Sequence, residues 1–195
     1  MGQEFYKKMY SPKGLYTALY KGFRTMKYMK KSRESNQLTG DFIERIMLVV
    51  TEVNGCELCT YAHTKAALEQ GVSNEEIQQL LSGDIEGITK EESVAIFFAQ
   101  NYADTKGNPS KESWQRVIDE YGESKALGIL GAIRMIMIGN IAGIPLSALK
   151  SRLKGKPIKK SNLGYEIIML LCTILFIPIA LIHSVILNIF KVSII

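Results

Sequence analysis

The chain has 195 residues, with 24 Lys and Arg against 19 Asp and Glu, a formal net charge of +5. Its length suits one domain plus an appendage, and 47% hydrophobic with 22% charged residues excludes wholesale disorder. Three Cys are too few, and odd, for a secreted disulfide scaffold.

In chain order, residues 1–40 hold nine Lys and Arg against two Glu and form a basic N-terminal helical segment. Phe5, Met9, Leu15, Leu19, Phe23 and Met26 recur at helical spacing, which predicts a helix over about 4–31, broken near Ser11-Pro12. The segment is read either as a helix packing on the body or as a surface for anionic lipid. Residues 41–149 sum to −8 and read as helix after helix. Asp41 caps FIERIMLVVTEV, which ends at Asn54-Gly55. A second helix starts near Cys56 and ends at Gly71. Ser73, Thr89 and Ser110 then cap three more, with Glu76 and Glu92 at capping-box positions after the first two. GESKALGILGAIRMIMIGNIAG follows, and Pro145 opens a short helix. No strand-like alternation interrupts this, so the class is all-α.

Residues 150–164 form a basic linker, with six Lys and Arg and no acid between 150 and 160. Residues 165–191 are the expected transmembrane anchor, and the 24 residues Ile167 to Phe190 carry no charge. As a helix they would run about 36 Å, enough for a hydrocarbon core about 30 Å thick. The basic run before this span, against Lys191 alone after it, places the body on the cytoplasmic side. MGQEFYKKMY has no apolar stretch of the signal-peptide kind. Nucleic-acid binding is not expected of an anchored protein with an acidic body.

The stretch that carries chemistry is ERIMLVVTEVNGCELCTYAH, Glu44 to His63. Cys56, Cys59 and His63 are spaced i, i+3, i+7, which puts them on one helix face. A Cys-x-x-Cys pair can close to a disulfide and reopen, a two-electron exchange. Free N–H groups at a helix start favour a thiolate at the first Cys. His63 can give or take a proton. Glu44 shares a face with Met47, Leu48 and Thr51 and can supply a carboxylate base. A Zn site built from Cys56, Cys59, His63 and Glu44 is the alternative reading of the same residues. Cys172 and His183 read as packing residues of the tail, with no partner in view.

Glu44, eleven residues, then Cys56-x-x-Cys59-x-x-x-His63 resembles the AhpD-like, or carboxymuconolactone decarboxylase-like, family. The likeness extends through NGCELCTYAHTKAALEQGVSNEEIQQLLSGD and GITKEESVAIFFAQNYA to about residue 149, leaving out the tail. It implies an all-helical, oligomeric thiol peroxidase needing no cofactor or metal. Cys59 would attack the hydroperoxide, Cys56 would resolve the sulfenic acid to a disulfide, and Glu44 and His63 would relay the proton. A dithiol or a thioredoxin- or lipoyl-type reductant would close the cycle. The family prototype carries a second His two residues after the first Cys, where this chain has Leu58. The decarboxylase branch lacks the Cys pair, so lactone decarboxylation is not expected.

Overall fold

The computed structural model describes residues 4–84 and 87–195. The described residues contain seven helices and no strand, an all-α architecture. They are α1 (Pro12–Glu34), α2 (Gly40–Asn54), α3 (Glu57–Glu69), α4 (Asn74–Ser82), α5 (Lys90–Asp104), α6 (Lys111–Leu153) and α7 (Leu163–Ile189). Helix α6 is the axis of the fold, packing against α1, α2, α3, α5 and α7. Its inward positions are apolar in a near-continuous run: Ile129, Leu130, Ile133, Ile136 and Ile144 are almost fully buried. Such a helix is held by packing on all sides rather than by an amphipathic face.

Three local expectations shift. The first helix begins at Pro12, not near residue 4: the Ser11 side chain accepts from the Gly14 N–H, and Pro12 fills the first helical turn, where its missing N–H is no loss. The described residues before it are not helical and cross the end of α2, with Tyr6 in the left-handed region at φ 57°. The second helix is capped at Thr39, so Asp41 lies in the first turn, where the helix dipole favours its charge. The segments expected as separate helices after Ser110 form one element, kinked at Gly122, whose φ of 71° only glycine adopts without strain. Pro145 continues this helix rather than opening a new one. Burial of Ile144, Pro145 and Ala148 offsets the backbone bond it removes.

The N-terminal basic helix is a working part of the core. Leu15, Leu19, Thr25 and Arg24 of α1 are buried, and α1 lies between α6 and α7. Arg45 of α2 gathers Asp41 at 2.6 Å, Glu76 at 2.5 Å and Glu92 at 3.6 Å, joining α2 to α4 and α5. Burial pushes the Glu92 carboxyl up, while Arg45 stays firmly protonated: the hydrogen bonds it donates to Glu76 and Asp41 outweigh its own burial.

Helix α7 rests along α1 and α6 with its polar residues turned inward. Glu166 is fully buried and takes a two-pronged contact from Arg152, at 2.8 and 2.9 Å, plus the Ser161 hydroxyl at 2.7 Å. His183 does have a partner: its Nδ1 lies 2.9 Å from the Tyr16 hydroxyl, with the two rings stacked. Arg24 donates to Asn188 at 3.2 Å and to the carbonyls of Val192 and Ser193. The opposite face presents Ile168, Leu171, Ile174, Leu175 and Ile182 to the outside. This helix is long and apolar enough to cross a membrane.

Candidate functional site

The site forms where α2 ends and α3 begins, against the wall of α6. Asn54-Gly55 makes the turn. Gly55 has φ 71°, and a Cβ there would lie 2.6 Å from the Lys7 backbone nitrogen and 2.8 Å from that of Tyr6. The position therefore requires glycine for both its conformation and its neighbours. Cys56 follows as the N-cap of α3, and its Sγ accepts from the Cys59 N–H at 3.3 Å. That contact answers one of the unpaired donors of the first turn, and it also stabilises negative charge on the Cys56 sulfur.

Cys56 and Cys59 form a disulfide, with Cα atoms 5.3 Å apart. Cys56 is completely buried and Cys59 is 7% exposed. The sulfurs face a gap in α6. A Cβ added at Gly143 would stand 2.9 Å from the Cys56 Sγ and 3.0 Å from the Cys59 Sγ. His63 lies one helical turn beyond Cys59, half-buried, and its Nδ1 is 2.8 Å from Glu44 Oε2 on α2. The carboxylate thereby fixes the ring and leaves Nε2 as the nitrogen available for proton exchange. The structure thus joins Cys56 to Cys59 and Glu44 to His63. Leu58, in place of the prototype's second His, is 39% exposed, and its Cδ2 would stand 3.9 Å from a Cβ at Gly143, beside the two sulfurs.

Several contributors were not foreseen from the sequence. Residues before α1 form a strap over the α2–α3 turn: the Tyr6 N–H donates to the Gly55 carbonyl at 2.7 Å and the Lys8 N–H to the Asn54 carbonyl at 3.2 Å. The Tyr6 hydroxyl donates to Glu57 Oε2 at 2.7 Å. Burial first, and then Glu57, push the Tyr6 hydroxyl to about 12, so it stays a donor throughout the neutral range. The Tyr10 hydroxyl donates to Asn54 Oδ1 at 2.5 Å, and Thr51 to Asn140 at 3.1 Å, which ties the turn to the strap and to α6. Gly143 had one signal in the sequence: with Gly139 it forms a pair of glycines four apart in a helix interior, a mark of close approach. Among the described residues, no group of three or more His, Cys, Asp or Glu is gathered as metal ligands would be.

Residues 18–99 match the model of the carboxymuconolactone decarboxylase family. Over those residues the chain is similar to this AhpD-like family. The matched segment runs from within α1 to within α5 and contains Glu44, Cys56, Cys59 and His63, whereas α6 beyond the match supplies Gly143. Neither a curated protein nor a solved structure matches the chain. The family includes enzymes, and a disulfide-forming Cys-x-x-Cys pair gives this AhpD-like domain the means for redox chemistry.

Proposed function

We propose that the protein is a thiol-dependent peroxidase that reduces hydroperoxides through Cys59 and Cys56. The observation that carries the reading is the Cys56–Cys59 disulfide on the helix that also bears His63, whose ring is held by Glu44. In the reduced form, the Cys59 thiolate attacks the terminal oxygen of the hydroperoxide. The O–O bond breaks, Cys59 becomes a sulfenic acid, and the departing alkoxide takes a proton by way of His63 and leaves as an alcohol. The Cys56 thiol then attacks the Cys59 sulfur, a disulfide forms and water leaves. A dithiol of thioredoxin or lipoyl type supplies two electrons and two protons to restore both thiols. Its thiolate reaches the more exposed sulfur, Cys59, and expels Cys56, whose charge the Cys59 N–H stabilises.

Membrane attachment belongs to the same proposal. Helix α7 is the tether, a single C-terminal span, with the basic residues of 150–164 keeping the catalytic domain on the cytoplasmic side. Crossing a bilayer would exchange the contacts of α7 with α1 for lipid, so the docked and spanning states are distinct conformations of the tail. The location suggests lipid hydroperoxides as substrates. The domain works as a homo-oligomer, for which exposed Leu58, Tyr61 and Leu68 on α3 offer an apolar contact.

Purified protein given an organic hydroperoxide and a dithiol is expected to consume the peroxide, and Cys59→Ser to abolish turnover. Unchanged turnover in Cys59→Ser would overturn the mechanism. The near-complete burial of both sulfurs favours one other reading, a membrane-bound redox sensor or scaffold without turnover. It predicts a disulfide that forms slowly and is not recycled.

A further inference from the structure

A second polar cavity lies apart from the dithiol, between α1, α6 and the turn that follows α5. Its volume is about 550 Å³, the size of a small-molecule site. Four cations line it: Lys13, Lys21, Lys106 and Arg134. No carboxylate does. Among the described residues, none of the four takes part in an ion pair. The nearest acid on the α5 side, Asp104, is exposed and held by Lys8 at 2.9 Å. Tyr10, Ser11, Thr17 and Tyr102 share the wall, and Met137 and Ile141 give it an apolar patch.

The floor is Arg134, only 2% exposed. Its Nε donates to the Tyr102 hydroxyl at 2.9 Å, its Nη2 to the Ile194 carbonyl at 2.7 Å, and its Nη1 reaches the Lys21 carbonyl at 3.5 Å. All three acceptors are neutral, and they use three of five N–H groups. A buried guanidinium ordinarily has a carboxylate beside it, because taking a charge out of water without a counter-charge is costly. Here no carboxylate is paired with it among the described residues, and Lys21 and Arg24 both feel its positive charge. Lys21 donates to the Gly107 carbonyl at 2.9 Å, and burial together with Arg134 lowers its basicity. Arg24, also buried, is pushed the same way by burial and by Arg134. The cations are graded from rim to floor: Lys13 and Lys106 are exposed, Lys21 is half-buried and Arg134 is buried.

We propose that this cavity binds the phosphate group of a small organic phosphate, with Arg134 and Lys21 as its inner ligands and Lys106 and Lys13 at its mouth. The charge argues for an anion of more than one negative charge. Guanidinium and ammonium donors among hydroxyls match the oxygens of a phosphate monoester, and Met137 and Ile141 receive the carbon part. The group could arrive on a soluble phosphorylated metabolite or on a lipid headgroup.

The test uses the full chain in detergent micelles and follows thermal unfolding. Inorganic phosphate and glycerol 3-phosphate are titrated against chloride at matched ionic strength. A specific upward shift of the unfolding temperature is expected, since a ligand bound only by the folded state raises it. Lys21→Gln and Lys106→Gln, which leave the buried Arg134 in place, are each expected to weaken binding about tenfold, as loss of a charge-assisted contact does. Arg134→Lys keeps the charge but loses the fork and is expected to bind more weakly still. Vesicles containing phosphatidic acid, set against phosphatidylcholine alone, separate the two sources. Protection by phosphatidic acid but not by glycerol 3-phosphate assigns the headgroup, and the reverse assigns a soluble ligand. Absence of any phosphate-specific shift, or an equal shift in the wild type and both lysine variants, overturns the proposal.

Discussion

Two of the described helices are long and apolar enough to cross a membrane, and the fold uses them in opposite ways. In α6, 72% of the most apolar stretch is buried inside the protein; in α7 the share is 11%. The difference follows from what their neighbours do. Helix α6 is covered by α1, α2, α3, α5 and α7, so its apolar residues meet other side chains. Helix α7 is covered by α1 and α6 on one side only. Along that side it spends its few polar groups, Glu166, His183, Ser184 and Asn188, while its Ile and Leu residues face outward. A polar-inward, apolar-outward helix is the arrangement expected where the surroundings are lipid. Apolarity alone does not distinguish a core helix from one with an open apolar face; the number of neighbours that cover it does.

The strongest way to break this comparison is to put the same charge into each helix. Ile133 of α6 is fully buried, and Ile133→Asp is expected to cost more than about 4 kcal/mol, enough to prevent folding, because a carboxylate there has no partner. Native-like circular dichroism and unchanged urea unfolding would refute the role of α6 as core. A smaller effect is expected at the wall of the dithiol. Gly143→Val places carbon where both sulfurs now lie, and overpacking of this kind costs about 1–3 kcal/mol. Thiol titration should then show less of the disulfide form at a given reductant ratio. An unchanged oxidised fraction would mean that α6 does not limit the pair. The smallest change in stability is expected at Ile174 of α7, which is 69% exposed. Ile174→Asp should alter unfolding by less than about 0.5 kcal/mol. Yet it should weaken partition into phosphatidylglycerol vesicles by about 2.5–3.5 kcal/mol if α7 is a span. Equal partition of the variant and the wild type would remove the tether from the functional reading.

Much of the fold was legible because its signals are local. Ser73 and Ser110 accept the N–H groups that their spacing foretold, and Gly71 and Gly83 end their segments with positive φ. The i, i+3, i+7 spacing of Cys56, Cys59 and His63 needs only one helix to have meaning. Other features depend on segments distant in sequence. The strap places Tyr6 within hydrogen-bonding distance of Gly55 and Glu57, about fifty residues on. Nothing in EFYKKMY marks it as non-helical, since Phe5 and Met9 fit a helical face. Gly143 meets the sulfurs across some eighty residues of chain, and the His183–Tyr16 contact spans 167.

The charge of the chain shows the same division. Sequence alone determined that the excess of Lys and Arg lies at 1–40 and 150–160 around an acidic middle, that the class is all-α, and that a Cys-x-x-Cys with a following His sits at a helix start. These are properties of composition and of spacing within one turn or two, and backbone geometry converts them directly into structure. Tertiary structure alone decided which cations would be surface charges and which would be buried. Arg24, Lys21 and Arg134 look like any other basic residues in the sequence, yet packing of α1 on α6, with α7 and the residues after it against both, takes two of them out of water and half-buries the third. Burial depends on which distant segments meet. The energy of a charge depends on the water it keeps, and therefore on the finished fold.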